Sequence, residues 1–231
     1  MKYIIQPGIE IGTPAITNIN VLTPEEVTEY RKNGFKCREK VYPMIFGRTE
    51  YEVICLEIWK KGDKEHSLII PAFLLPHRIY PTYVYAFAVN LYSSNPELGQ
   101  RKVAEETRKE YDLETFAHTT VGRAMKTLAN ALTENAAKDT EAVKKAARET
   151  GQSQSNAGLD HRGRFPSVQD TGTIRKIVKS FFYEKLKSHC QEWFRAACDY
   201  TAIYWNARFH WPLMHTAPVI RRKVSIVTQN A

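Results

Sequence analysis

Residues 118–132 have the sequence HTTVGRAMKTLANAL, and this stretch decides how the middle of the chain folds. At about 100° per residue, its apolar side chains fall on one narrow stripe of a helix and its polar side chains on the opposite side. The apolar stripe consists of Val121, Met125, Leu128 and Leu132. The outward face consists of Thr119, Arg123, Lys126 and Asn130. The pattern predicts an amphipathic helix that begins at about His118 or Thr119.

A second predicted helix precedes it. Ser94-Asn95-Pro96-Glu97 has the S-x-x-E spacing of a capping box, which predicts a helix from Pro96 to about Glu110. A short connection over 111–117 joins the two helices. Four cations lie on the first helix: Arg101, Lys102, Arg108 and Lys109. Three acids on the same helix would repel an anion and are expected to point away from it: Glu105, Glu106 and Glu110.

Two helices joined by a short turn, the second one basic and polar outward, are typical of a helix-turn-helix. No acidic residue lies between Thr115 and Thr133. We therefore expect double-stranded DNA as partner, because cations, hydroxyls and amides are the groups that meet phosphates and base edges. The outward face of the second helix would contact the groove, the four cations of the first would contact the backbone, and His118 would add a phosphate donor. An ordinary helix pair with a hydrated outer face stays open as the alternative.

Residues 36–71 have the pattern of a small β unit. An apolar run from Val41 to Phe46 is followed by a turn at 47–50 and by Tyr51–Trp59, which is rich in β-branched and aromatic residues. A second turn over Lys60–Lys64 precedes a third run, Ser67–Ile70. The pattern predicts a three-stranded antiparallel meander.

The flanking regions are less regular. Residues 1–35 form an N-terminal arm whose prolines and glycines should break any early element, and Thr23-Pro24-Glu25-Glu26 predicts a short capped helix that ends near Gly34. Pro81 opens a predicted helix with one apolar face, consisting of Val84, Phe87, Ala88 and Leu91. Residues 133–165 are predicted to be an Ala-rich helix and a flexible linker, and 166–231 a helical C-terminal unit. The wide aromatic stripe at 174–204 must bury against the head or in a homodimer.

Three segments resemble a transposase-related family that is widespread in Gram-positive bacteria and largely uncharacterised. Ile70–Tyr80 (IPAFLLPHRIY) resembles its LPDFLLPYKRY segment, and Arg101–Glu105 and Tyr111–Arg123 resemble its helix-turn-helix. The resemblance covers about residues 36–130. It implies a zinc-ribbon-like β unit at 36–80, a DNA-binding head at 81–132 and an origin in a mobile element.

The cysteines depart from that family. Its CxxC knuckle, about eleven residues before the proline that matches Pro71, is replaced here by Lys60-Lys61-Gly62-Asp63. We expect a degenerate ribbon without metal, held by packing of Tyr51, Val53, Ile58 and Trp59, with Cys55 as a small buried residue. The C-terminal unit contains four residues that could bind zinc, but their spacing is unusual for a zinc finger: Cys190, Cys198, His210 and His215. We expect the thiols to be buried and the histidines to be exposed.

Composition and charge exclude several classes. The chain has 231 residues, 43% of them hydrophobic, a formal charge of +8 and no CxxC pair, which argues against a disordered chain or a disulfide scaffold. The basic balance favours a polyanion partner. We find no segment typical of a signal peptide or membrane span and expect a cytoplasmic protein. Neither a catalytic nucleophile motif nor a phosphate-binding loop is visible. The carboxylates after residue 132 are scattered, whereas a transposase active site needs three of them to hold two metal ions. No cofactor is expected.

The sequence thus predicts an α+β fold: a small antiparallel β unit, a helix-turn-helix-type helical domain and a helical C-terminal unit. The leading functional hypothesis is a non-catalytic, transposase-derived DNA-binding protein. The alternative is an adaptor that binds a protein partner through the 174–204 helix, its DNA head vestigial. An enzyme whose site is not visible in sequence is a third hypothesis.

Overall fold

The computed structural model describes residues 2–6, 8–130, 132–133 and 171–186. These residues form a mixed five-stranded sheet and five helices, so the fold is α+β. The strands are β1 (Lys2–Gln6), β2 (Asn18–Asn20), β3 (Phe35–Phe46), β4 (Thr49–Lys60) and β5 (Ser67–Pro71). The helices are α1 (Pro24–Lys32), α2 (Thr82–Ser94), α3 (Gln100–Glu110), α4 (118–130) and α5 (Thr171–Leu186).

The sheet is built around β4. One edge of β4 pairs antiparallel with β3 over its whole length, from Phe35 opposite Lys60 to Phe46 opposite Thr49. Its other edge is shared, because β2 pairs parallel with the first half and β5 antiparallel with the second. The predicted β3-β4-β5 meander is confirmed. Three of the four residues expected to hold it, Tyr51, Val53 and Ile58, are buried, and Trp59 is half-buried.

The prediction that the N-terminal arm has no early element is wrong. β1 pairs parallel with β5, placing Ile4 opposite Ile69, and β2 pairs parallel with β4, placing Ile19 opposite Val53. Both strands are short, and their hydrogen-bond partners lie more than thirty residues away along the chain. Such strands are stabilised by tertiary pairing, which local propensity does not report.

The predicted capped helix near Thr23 is confirmed as α1. The Thr23 hydroxyl accepts a hydrogen bond from the Glu26 amide at 3.3 Å, and the Glu26 carboxylate accepts one from the Thr23 amide at 2.8 Å. Pro24 occupies the first turn, where its missing N–H has no intrahelical partner to lose. Gly34, at φ 81°, turns the chain from α1 into β3.

A buried connection joins the sheet to the helices. The side chains of residues 72–75 are at most 2% exposed, and the Thr82 hydroxyl at the start of α2 donates to the carbonyls of Ala72 and Phe73. α2 is the central helix and packs against α3 and α5. Val84 and Ala88 of its predicted face are buried and the other two are half-buried, but the buried surface also includes Tyr85, Ala86, Val89 and Tyr92.

The predicted start of α3 at Pro96 is wrong. Ser94 still belongs to the last turn of α2, where its hydroxyl lies 3.4 Å from the Asn90 amide oxygen, and the Asn95 side chain donates to the Leu91 carbonyl at 2.9 Å. These two residues therefore end α2 instead of capping a new helix. α3 begins four residues later at Gln100, after Gly99, and ends at Glu110 as expected.

The first part of the C-terminal stripe packs inside the chain. Ile174 and Val178 of α5 are buried in the same core as α2, and Ile177 is half-buried against it. The Arg175 guanidinium lies 4.0 Å from the Tyr92 ring centroid and donates to the carbonyls of Pro96 and Leu98. The predictions for 134–170, for the side chains of the stripe beyond residue 180, and for Cys190, Cys198, His210 and His215 lie outside the described residues.

Candidate nucleic-acid interface

α4 has the two faces that its sequence predicts. Val121, Met125 and Leu128 are at most 1% exposed, and Leu132 is half-buried. On the opposite face the polar side chains reach solvent; Thr119, Arg123 and Lys126 are exposed and Asn130 is half-buried. The outward face of α4 is therefore a basic, hydroxyl-bearing and amide-bearing surface.

The connection between α3 and α4 is fixed by buried side chains. Residues 111–117 form it, and Leu113 and Phe116 are buried. The Phe116 ring lies 5.3 Å from the Tyr80 ring, and the Tyr80 hydroxyl donates to the Thr115 carbonyl. Seven residues exceed the three or four of a standard helix-turn-helix turn. The contacts with Tyr80 hold the start of α4 against the helical core.

Four of the nine predicted site residues meet in one groove. A cavity of about 590 Å³ lies between α3 and the start of α4 and is lined by Arg101, Lys102, Arg108 and His118. Arg101 and Arg108 are seven residues apart, which places them two turns apart on the same face of α3. Ala104, Glu105, Phe116 and Ala117 also line the groove. Residues from both helices thus form a single cationic concavity.

The two lysines of α3 are paired with carboxylates. Lys102 lies 3.2 Å from both Glu105 and Glu106, and Lys109 lies 3.1 Å from Glu105 and 3.5 Å from Glu106. Hydrogen bonds to Glu105 and Glu106 raise the pKa of Lys102. Hydrogen bonds from Lys109 and Lys102 lower the pKa of Glu105, and one from Lys102 lowers that of Glu106. The two ammonium groups and the two carboxylates therefore largely cancel one another.

Glu105 contradicts one expectation. It lines the groove instead of pointing away from it. The spacing of the helix explains this, since Arg101, Glu105 and Arg108 share one face at i, i+4 and i+7. Because Lys102 and Lys109 neutralise Glu105 and Glu106, the remaining positive charge of the groove comes from its two arginines. Among the described residues, neither Arg101 nor Arg108 forms an ion pair.

A second charged cluster, on the sheet, was not predicted. The Glu57 side chain is only 2% exposed, and it accepts from Arg38 Nε at 2.8 Å and meets His66 Nδ1 at 2.8 Å. Lys40 Nζ lies 3.8 Å from the same carboxylate. Burial would raise the pKa of Glu57, but the hydrogen bonds from His66 and Arg38 and the charges of Arg38 and Lys40 outweigh it and lower the pKa. The signal in the sequence is the alternation Lys36-x-Arg38-x-Lys40 on one face of a strand.

Two of the four cysteines, Cys37 and Cys55, lie in the described residues. Cys55 is fully buried, as predicted, and burial raises the pKa of its thiol. Cys37 is half-buried, and burial raises its thiol pKa too, against the opposing effect of Arg31. At the position of the expected knuckle, the Asp63 carboxylate accepts from the Lys60 amide and Gly62 has φ 95°. In the described parts of the chain, no group of three or more His, Cys, Asp or Glu side chains is placed to hold a metal ion.

None of the helices in the described ranges combines the length and the apolar character that a bilayer span requires. No family model matches the chain, and neither a curated protein nor a solved structure is significantly similar to it.

Proposed function

We propose that the chain is a DNA-binding protein that contacts duplex DNA through the outward face of α4 and the groove beside it. The observation that carries this proposal is the meeting of Arg101, Arg108 and His118 in one groove at the start of α4. An exposed face with Thr119, Arg123 and Lys126 belongs to the same helix. Two arginines of α3 and the histidine at the start of α4 thus line one concavity, and exposed cations follow on the same helix.

The two parts would have different tasks. Arginine, lysine, threonine and asparagine side chains on an exposed helix can contact base edges and phosphates in a major groove. The guanidiniums of the groove suit phosphate oxygens, because each presents a planar fork of donors. Lys102 and Lys109 contribute less, since their charges are already matched by Glu105 and Glu106. Arg101 and Arg108 are therefore the main backbone contacts of the proposal.

The resemblance to a transposase-related family supports the same proposal and adds an origin in a mobile element. In that interpretation the protein binds DNA without cleaving it. The adaptor alternative receives less support, because Ile174 and Val178, the first buried residues of the proposed docking helix, already pack in the core with α2. The dimer hypothesis for 174–204 remains a prediction.

The experiment compares two double variants with equal loss of charge. Arg123→Ala/Lys126→Ala removes two cations from the outward face of α4. Lys176→Ala/Lys179→Ala removes two exposed cations from α5. With a random-sequence duplex at low salt, we expect the first variant to bind at least about tenfold more weakly than wild type and the second to bind almost normally. Equal affinities of the two variants, with both folded, would overturn the assignment to α4.

A further inference from the structure

Three cations stand in a row on one face of β3. Lys36, Arg38 and Lys40 alternate along the strand, so their side chains project from the same face at intervals of about 7 Å. Lys36 is exposed, the Arg38 side chain is 56% exposed, and the Lys40 side chain is 38% exposed. We call these three residues the β3 cationic face. By the same alternation, Glu39 projects from the opposite face of the strand.

The buried Glu57 orients this face. It lies opposite Arg38 in the register, and Arg38 donates to it through Nε and Nη2. A guanidinium has five N–H donors, so three remain for another acceptor. The Trp59 ring adds support, with the His66 ring stacked on it at 4.6 Å and the Arg38 guanidinium 5.9 Å from its centroid. The cation is thus held in place while most of its donors stay available.

The balance of charge on this face is positive. Glu57 provides one negative charge, whereas Lys36, Arg38 and Lys40 provide three positive ones, and His66 adds a ring that is neutral or positive. The carboxylate is covered, so an approaching ligand meets cations first. A row of cations with free N–H donors at regular spacing is complementary to a chain of phosphates.

We propose that the β3 cationic face binds the phosphate backbone of nucleic acid as a second contact, separate from α4. This inference rests on the proposed function, because it extends the same DNA-binding activity to the sheet. Lys36 and Lys40 make direct phosphate contacts. Arg38 contributes the donors that Glu57 leaves free, and Glu57 is a positioning residue that acts through Arg38.

The test uses Lys36→Ala/Lys40→Ala, which leaves the Arg38–Glu57 pair in place. Binding of a labelled random-sequence duplex is measured across a salt series by fluorescence anisotropy. Each lost phosphate contact lowers the slope of log K against log salt by about 0.9, so the variant should show a slope smaller by roughly 2. Lys176→Ala/Lys179→Ala is the control with equal charge loss. If the double β3 variant does not fold, Lys36→Ala alone replaces it and should lower the slope by about 1.

The outcomes separate the two proposals. An unchanged slope in the β3 variant, with binding lost in Arg123→Ala/Lys126→Ala, overturns this inference and leaves the role of α4 intact. A reduced slope in the β3 variant, with normal binding in the α4 variant, supports the inference and overturns the role of α4. A wild-type protein that binds no duplex at low salt overturns both.

Discussion

Arg38 and Glu57 face each other across β3 and β4, and two nitrogens of the guanidinium bond one oxygen of the carboxylate. The carboxylate is almost fully covered, while the arginine is more than half exposed. A buried anion is costly unless it is paired and hydrogen-bonded. Here Arg38 and His66 hydrogen-bond the carboxylate, and Arg38 and Lys40 provide opposite charge. The charge of Glu57 should therefore matter to the stability of the sheet.

Glu57→Gln should destabilise the protein and make its free energy of unfolding less dependent on pH in the acid range. The pKa of Glu57 is lowered in the folded state, so its contribution is present above the ordinary carboxyl pKa and is lost as pH falls through the lower folded pKa. We expect a loss of roughly 1–3 kcal/mol at neutral pH, because the cations lose their charged partner. In urea unfolding, the difference in stability between wild type and variant should shrink as the pH falls below the ordinary carboxyl value of 4.5. A constant difference over that range would contradict the role given to the charge.

Thr23→Ala should weaken the start of α1. Its hydroxyl accepts from the Glu26 amide as half of a capping box. Loss of such a cap lowers the free energy of unfolding by about 1 kcal/mol. Thr28→Ala is the matched control, since this exposed hydroxyl only donates to the Pro24 carbonyl. Thermal unfolding of both variants checks the prediction, and equal midpoints would show that the cap contributes nothing.

The two pairs of cations on α3 should differ in DNA binding. Arg101→Ala/Arg108→Ala and Lys102→Ala/Lys109→Ala remove the same charge from the same helix. The arginines line the groove without an ion pair among the described residues, whereas the lysines are matched by Glu105 and Glu106. The arginine variant should bind duplex DNA at least several-fold more weakly than the lysine variant. Weaker binding by the lysine variant than by the arginine variant would contradict this prediction, and would show that DNA displaces the carboxylates and binds the lysines.

The sequence predicted the elements whose signals are local. The capping box at Thr23, the three-stranded meander within residues 36–71 and the two faces of α4 all follow from short patterns of neighbouring residues. The first strand is longer than the predicted apolar run, since β3 begins at Phe35 and the run at Val41. β1 and β2 were missed because their pairing partners lie far along the chain. The start of α3 was misplaced because Ser94 and Asn95 are also good residues with which to end a helix, and only the extent of α2 decides between the two.

The candidate site was predictable as a set of residues, not as an arrangement. Helical spacing placed Thr119, Arg123 and Lys126 on one exposed face. It could not reveal that His118 meets Arg101 and Arg108 in a groove, since this depends on how Phe116 packs against Tyr80. Nor did it reveal the Glu57 cluster, which requires the register of β3 against β4.

DNA binding is tested most directly by the salt dependence of wild-type binding to a random-sequence duplex. A protein that makes roughly six phosphate contacts should lose on the order of a thousandfold in affinity between about 50 and 200 mM salt. A protein that used only an apolar surface would change little over the same range. The proposed DNA-binding role predicts tight binding at the lowest salt and a steep linear fall of log K against log salt. Absence of binding at about 50 mM salt by the folded protein would contradict it.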